Sequence, residues 1–208
     1  IKEVEERTGW NVRVETGSAK EMLSQLEKEE ADWDVAFGVS ADALEEGKEY
    51  WQTGKDAWTG YSAVSFVILY NTNVVTYREL PTGWDSLLEP RWKGRMAVPD
   101  PLKSDMAASV LTEAAKNSEK EEFLDLLAEN MQYQMPETFK EVEQGISDGR
   151  YSIGVTSEEA AKAMLAAGQD VDYIDPEEGE CFFEDGTAIR KRTPNLDASE
   201  AFVTYTTC

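Results

Sequence analysis

Histidine is absent from all 208 residues, and the chain has only two cysteines, Cys181 and Cys208. Without histidine the chain lacks the commonest general base and metal ligand, which excludes a Ser-His-Asp hydrolase. The cysteines lie far apart without CxxC spacing, so the sequence gives no support for a zinc site or thioredoxin-like chemistry. They could form a disulfide in an oxidising compartment or remain unpaired structural thiols, and the sequence leaves both open.

Positive charge is also scarce, because 20 basic residues face 42 acidic ones and the net charge is −22. Such a surface repels nucleic acid and anionic membranes, so we expect neither as a partner and expect a soluble monomer. No apolar run is long enough to span a bilayer, and the longest, residues 63–70, fits a buried strand. A hydrophobic content of 41% with six tryptophans indicates a folded globular protein.

Hydrophobic periodicity predicts alternating helices and strands, which indicates an α/β fold with a largely parallel sheet. Strands are predicted at residues 11–15, 33–37, 61–69, 95–98, 151–155, 171–174 and 181–189. Helices are predicted at residues 1–8, 18–30, 41–48, 104–117, 119–130, 138–148, 157–167 and 196–205.

Residues 66–104 carry a resemblance to a known family. The motifs are Tyr70-Asn71-Thr72, Leu80-Pro81, Trp84, Leu87-Leu88, Pro90, Trp92-Lys93-Gly94 and Asp100-Pro101. They resemble the mid-chain signature of extracytoplasmic solute-binding proteins of ABC importers. The nearest group has members that bind ferric iron, phosphonates, hexose phosphates, thiamine or polyamines. Flanking pieces agree in order and spacing: Thr8-Gly9, Asp34-Val35, Gly38, residues 149–154, Tyr173-Ile174, Pro176, Glu178-Gly179, Ala188-Ile189 and Pro194-Asn195.

The resemblance implies a two-lobed, type II periplasmic-binding-protein fold with a ligand cleft between lobes. The first lobe is then 1–64 with 186–208, the second is 71–183, and hinge crossings lie at about 62–70 and 182–189. Compared with the family, we expect these residues to lack the N-terminal strand and the C-terminal tail.

The function that the resemblance implies is binding of a small organic solute and its delivery to the membrane permease of an ABC importer. The solute would bear a phosphate, phosphonate or amine group, and the protein would act in the periplasm or as a lipid-anchored protein on the cell surface. No enzyme activity, cofactor or metal is expected. The alternatives are a ligand-sensing domain of a receptor and a transferase on the same fold.

Hydroxyl and carboxyl side chains follow the predicted strands where each strand gives way to a helix. They are Ser40, Ser104, Asp105, Thr156 and Ser157. Because open α/β sheets place ligands at the carboxyl ends of strands, we expect Ser40, Ser104 and Thr156 to converge on one ligand. The alternative is that each hydroxyl only caps its own helix. Asp105 disfavours a fully ionised phosphate beside it and leaves room for an amino group.

Three further residues near the predicted crossings are candidates. Tyr61 is expected to stack on a ligand face, with hinge packing as the alternative. Glu178, by the resemblance, and Asp185 are expected to be cleft acids, although acidic loop residues in such a chain are commonly only solvated. Ferric iron is not expected, because the chain has no adjacent tyrosines and its matching late region reads GVTSEEAA.

Overall fold

The computed structural model describes residues 2–52 and 57–207. The helices are Lys2–Thr8 (α1), Ala19–Glu27 (α2), Ala41–Glu46 (α3), Asp105–Asn117 (α4), Phe123–Asn130 (α5), Phe139–Ser147 (α6), Glu158–Ala166 (α7) and Leu196–Thr206 (α8). The strands are Val35–Ser40 (β1), Thr59–Asn71 (β2), Met96–Ala97 (β3), Ile153–Ser157 (β4), Val171–Ile174 (β5) and Cys181–Ile189 (β6). This mixture confirms the predicted α/β class.

The chain divides into two compact units. Unit 1 comprises residues 1–63 and 184–208, and unit 2 comprises residues 64–183. The long strands β2 and β6 each contribute residues to both units, and they are hydrogen-bonded neighbours in the strand order β1-β6-β2-β4-β3, with β5 paired to β2. The predicted lobes have nearly the same boundaries as these units, whereas a hinge function of β2 and β6 stays a prediction.

Unit 1 has a small aromatic core on one face of the antiparallel pair β1–β6. Its buried members are Leu26, Ala36, Leu44, Trp51 and Ala188. Helix α2 begins at a capping box in which the Ser18 hydroxyl and the Glu21 carboxylate each accept a backbone N–H. Trp51 donates its indole N–H to the Leu44 carbonyl oxygen at 2.8 Å, so this fully buried ring leaves no polar atom unsatisfied.

Unit 2 holds the larger core, on the two faces of its sheet. One face packs Phe66, Ile68, Trp84 and Trp92 among others, and the second packs Val67 and Leu69 against helices α6 and α7. The fully buried run in β2 is the signature of a strand covered on both faces. As predicted, Trp84 and Trp92 are core residues.

Two expectations about strands are wrong. Residues 11–15 have the alternating pattern of a half-buried strand, but they form no strand and are mostly exposed. Alternation alone does not make a strand, because the backbone groups also need a neighbouring strand to pair with. The sheet is also not largely parallel: β3–β4 is a parallel pair, whereas β1–β6, β2–β4 and β2–β5 are antiparallel. Each antiparallel pair includes one of the long strands β2 and β6.

Of the helices that the structure describes, none combines the length and the apolar character that a bilayer span requires.

Candidate functional site

A β-bulge in β1 groups several predicted site residues on one face of unit 1. Phe37 lies opposite Thr187 and Ser40 lies opposite Asp185, and the extra residue between them is Gly38, with φ +70°. Directly opposed residues share a face, and so do residues two apart on a regular strand. Phe37, Ser40, Asp185 and Thr187 therefore lie on one face, called here the bulge face, opposite the aromatic core.

Phe37 on the bulge face forms an aromatic pair with Tyr61. Tyr61 from β2 stacks on Phe37, with ring centroids 4.8 Å apart and planes inclined by 8°. Phe202 from α8 meets Phe37 edge-on at 5.8 Å. Phe37 nevertheless keeps 46% of its surface exposed, which is unusual for a phenylalanine in a strand. A Cβ at Gly38 would lie 3.4 Å from the Tyr61 hydroxyl, so glycine allows both the positive φ and the close approach.

Three polar groups of this region have no hydrogen-bond partner within residues 2–52 and 57–207. They are the Ser40 hydroxyl, the Tyr61 hydroxyl and the Asp185 carboxylate. Ser40 occupies the N-cap position of α3 without a side-chain cap bond. Partial burial raises the pKa of the Asp185 carboxyl, and burial followed by the nearby Asp185 charge raises the pKa of Tyr61. Thr187 differs, because its hydroxyl donates to the Ala36 carbonyl oxygen at 2.9 Å.

The predicted residues of unit 2 are instead largely engaged in local structure. The Ser104 hydroxyl accepts the Ala107 N–H at 3.2 Å and the Ser157 hydroxyl accepts the Ala160 N–H at 3.2 Å, so both are N-caps. Asp105 is exposed in the first turn of α4, where a carboxylate suits the helix dipole. Ligand contacts at these three residues stay predictions.

Thr156 does not cap α7, contrary to one expected arrangement. It lies within β4, its side chain is fully buried, and its hydroxyl donates to Glu143 of α6 at 2.6 Å. The cap is the next residue, Ser157. A fully buried side chain offers no surface to a solute, so we exclude Thr156 from the proposed site.

Glu178 makes hydrogen bonds that stabilise the fold, and its predicted ligand contact stays a prediction. Its two carboxylate oxygens accept the N–H groups of Trp84 and Asp85, both at 2.9 Å, at the start of a 3₁₀ turn. The Trp84 indole donates to the Gly179 carbonyl oxygen at 2.9 Å. A carboxylate at the first turn of a helix satisfies N–H groups that otherwise lack partners. Glu178 therefore fixes the loop before β6 onto this turn.

Sequence reasoning missed two contributors to this geometry, Phe37 and Glu143. The signal for Phe37 was the glycine that follows it within a strand, since an isolated strand glycine often marks a bulge. Glu143 gave no signal, because its role depends on how α6 packs against β4. A depression of about 290 Å³ on unit 2, lined by Gln134, Met135, Pro136, Glu141, Arg150 and Tyr151, contains no predicted site residue.

Cysteine and metal chemistry are limited in the described part of the chain. Cys181 is buried, and burial, followed by the charges of Glu113 and Glu178, raises the pKa of its thiol to about 12. Such a thiol is not a reactive thiolate at neutral pH. The predicted alternative of a disulfide involves Cys208, which lies outside the described residues. Within residues 2–52 and 57–207, no three Cys, Asp or Glu side chains are grouped to hold a metal ion.

Comparison with solved structures shows the fold. The ferric binding protein of Campylobacter jejuni superposes with a TM-score of 0.83 at 18% identity, covering 99% of this chain and 75% of that chain. AfuA of Actinobacillus pleuropneumoniae is a periplasmic binding protein solved with exogenous fructose-6-phosphate. It superposes with a TM-score of 0.78 at 16% identity, covering 100% of this chain and 74% of that chain. A structure described as a two-component system protein mediating signal transduction superposes with a TM-score of 0.74 at 18% identity, covering 98% of this chain and 74% of that chain.

These neighbours confirm the predicted type II periplasmic-binding-protein fold, and as a group they are binding proteins rather than enzymes. No curated protein is significantly similar to the chain. The family model described as "Bacterial extracellular solute-binding protein" matches residues 19–207. This chain therefore belongs to the family of bacterial extracellular solute-binding proteins, whose members bind solutes for ABC transport.

Proposed function

We propose that this chain binds a small organic solute outside the cytoplasm and, as a monomer without enzymatic activity, delivers it to the permease of an ABC importer. The bulge face supports the proposal. It presents hydroxyl and carboxylate groups without partners among the described residues beside a partly exposed aromatic pair. A small-molecule site typically combines apolar surface with a small number of polar groups that converge on the ligand.

Ferric iron is less well supported than an organic solute, although one structural neighbour is described as a ferric binding protein. The chain has eight tyrosines and no two of them are adjacent. Hard cations need several oxygen ligands converging at fixed geometry. Titration with ferric citrate is therefore expected to give no stoichiometric iron complex by absorbance or native mass spectrometry.

Native mass spectrometry of the protein as purified tests the proposal. We expect a one-to-one complex with a non-covalent small molecule that is released on unfolding and is absent after refolding in clean buffer. The refolded protein is then mixed with a panel of choline, spermidine, fructose 6-phosphate and ferric citrate. If no retained molecule and no one-to-one complex with an organic panel member is found, the proposed function is wrong.

A sensing role is the second candidate, because one structural neighbour is described as mediating signal transduction. A sensor would bind its solute on the same fold without delivering it. The full-length gene separates the two functions. A lipoprotein signal beside an ABC permease gene supports import, whereas a membrane helix followed by a signalling module supports sensing.

A further inference from the structure

The charge around the bulge face restricts the chemistry of the ligand. Asp185 is the only carboxylate among the four residues that define this face, and within the described ranges no Lys or Arg forms an ion pair with it. A partly buried carboxylate without a cation is costly, because burial removes water that stabilises the charge. The whole chain adds a net charge of −22, so the potential here attracts cations and repels anions.

The aromatic pair gives the same preference through a different interaction. The π-face of an aromatic ring carries negative charge density and attracts ammonium groups within about 6 Å of the ring centroid. Phe37 and Tyr61 present such rings beside Asp185, whose charge acts on the Tyr61 hydroxyl. Phenylalanine has no polar atom, so an anion gains nothing from its exposed face.

Resting on the proposed solute-binding function, we propose that the solute of this chain carries an ammonium group. This group lies against the Phe37–Tyr61 pair and forms an ion pair with the Asp185 carboxylate. The Ser40 hydroxyl, opposite Asp185 in the β1–β6 ladder, accepts a hydrogen bond from the ammonium N–H or bonds to a neighbouring polar atom of the solute. A primary or secondary ammonium group uses the aromatic pair, the Asp185 carboxylate and the Ser40 hydroxyl, whereas a quaternary ammonium group uses only the aromatic pair and the carboxylate charge.

The test compares charged probes with neutral analogues by isothermal titration calorimetry. The charged probes are spermidine and choline, and 3,3-dimethyl-1-butanol is the neutral analogue that has the shape of choline. The refolded, solute-free protein is expected to bind at least one charged probe in a saturable, one-to-one complex. If choline binds, we expect 3,3-dimethyl-1-butanol to bind at least about tenfold more weakly than choline does.

Two variants separate the proposed ion pair from general attraction by the acidic surface. Asp185→Asn is expected to weaken binding of the charged probe about tenfold or more. Glu184→Gln removes the same charge one residue earlier on β6, at an exposed position on the opposite face, and is expected to leave affinity within about twofold. Phe37→Leu keeps apolar bulk but removes the ring, and a loss of about fivefold is expected.

Four outcomes decide the proposal. Loss of binding in Asp185→Asn with retention in Glu184→Gln supports it. An equal loss of affinity in both variants means that the acidic surface attracts the charged probe in general, and this result overturns the proposed ion pair. Stoichiometric binding of fructose 6-phosphate, unaffected by Asp185→Asn, also overturns it while leaving the solute-binding function intact. If the wild-type protein binds no panel member and retains no molecule from the cell, both the ammonium proposal and the proposed function fail.

Discussion

The bulge face of unit 1 and the helix starts of unit 2 carry the same residue types but use them differently. In unit 2 the Ser104 and Ser157 hydroxyls accept backbone N–H groups, Thr156 donates to Glu143, and Glu178 accepts two N–H groups. On the bulge face, Ser40 and Asp185 make no such bonds with the residues that the structure describes. Polar side chains that already have intramolecular partners stabilise the fold, whereas those left without partners beside exposed aromatic surface are better candidates for binding.

Replacing Glu178 gives the largest expected change in stability. Glu178→Ala leaves the N–H groups of Trp84 and Asp85 without their charged acceptor, and the free energy of unfolding should fall by about 2–3 kcal/mol. Glu177→Ala is the matched control, since it removes the same charge from the neighbouring exposed position. Denaturant unfolding measures both. If Glu178→Ala instead abolishes probe binding at unchanged stability, Glu178 is a ligand contact and the comparison between the units fails.

The bulge is tested by Gly38→Ala, matched to Gly168→Ala. Both glycines have positive φ, +70° and +73°, so alanine should lower the free energy of unfolding by about 1–2 kcal/mol at either position. Only Gly38 stands between Phe37 and Ser40, so only Gly38→Ala should also weaken binding of spermidine or choline. Calorimetric titration of both variants separates the effect on binding from the effect on stability. If Gly38→Ala binds the probe as tightly as Gly168→Ala does, the bulge does not organise the site.

The helix caps give a smaller effect. Ser104→Ala and Ser157→Ala each remove a side-chain cap and should lower the free energy of unfolding by about 1 kcal/mol. Ser40→Ala removes no cap bond and should change stability by less than about 0.5 kcal/mol. Thermal unfolding at several probe concentrations distinguishes caps from contacts, because a pure cap variant keeps the full stabilisation that the probe adds.

The smallest expected change in stability is an increase, in Asp185→Asn at neutral pH. Because burial raises the pKa of Asp185 in the folded protein, the folded state binds its proton more tightly than the unfolded state. The resulting stabilisation is present below the ordinary value of 3.8 and is lost as pH rises through the folded pKa. At neutral pH, Asp185→Asn should therefore make the probe-free protein slightly more stable than wild type. The difference between the two melting temperatures should shrink as pH falls towards 3.8.

The sequence was most informative about helix starts and buried strands. Ser18, Ser104 and Thr138 begin helices as expected, since N-capping is a local interaction between neighbouring residues. Strands β5 and β6 have the predicted bounds, as their apolar and glycine patterns indicated. The strand predicted at residues 11–15 failed, because strand formation depends on a partner elsewhere in the chain.

The candidate site was only partly predictable. The sequence predicts Ser40, Tyr61 and Asp185 as site residues, but their grouping depends on a bulge that changes the register of β1 and β6 between Phe37 and Val39. No local pattern fixes such a register shift, because it results from pairing between segments about 150 residues apart. For the same reason, the partners of Thr156 and Glu178 became apparent only in the folded chain.

The most direct test of the central claim is calorimetric titration of Ser40→Ala and Ser104→Ala with the same charged probe, spermidine or choline, whichever binds wild type. Both variants lose one serine hydroxyl at the N-cap position of a helix, and they differ mainly in whether that hydroxyl accepts a backbone N–H of its helix. We predict that Ser40→Ala weakens binding about tenfold for spermidine, or about threefold for choline, while the affinity of Ser104→Ala stays within about twofold of wild type. Weakened binding in Ser104→Ala with unchanged binding in Ser40→Ala would contradict it.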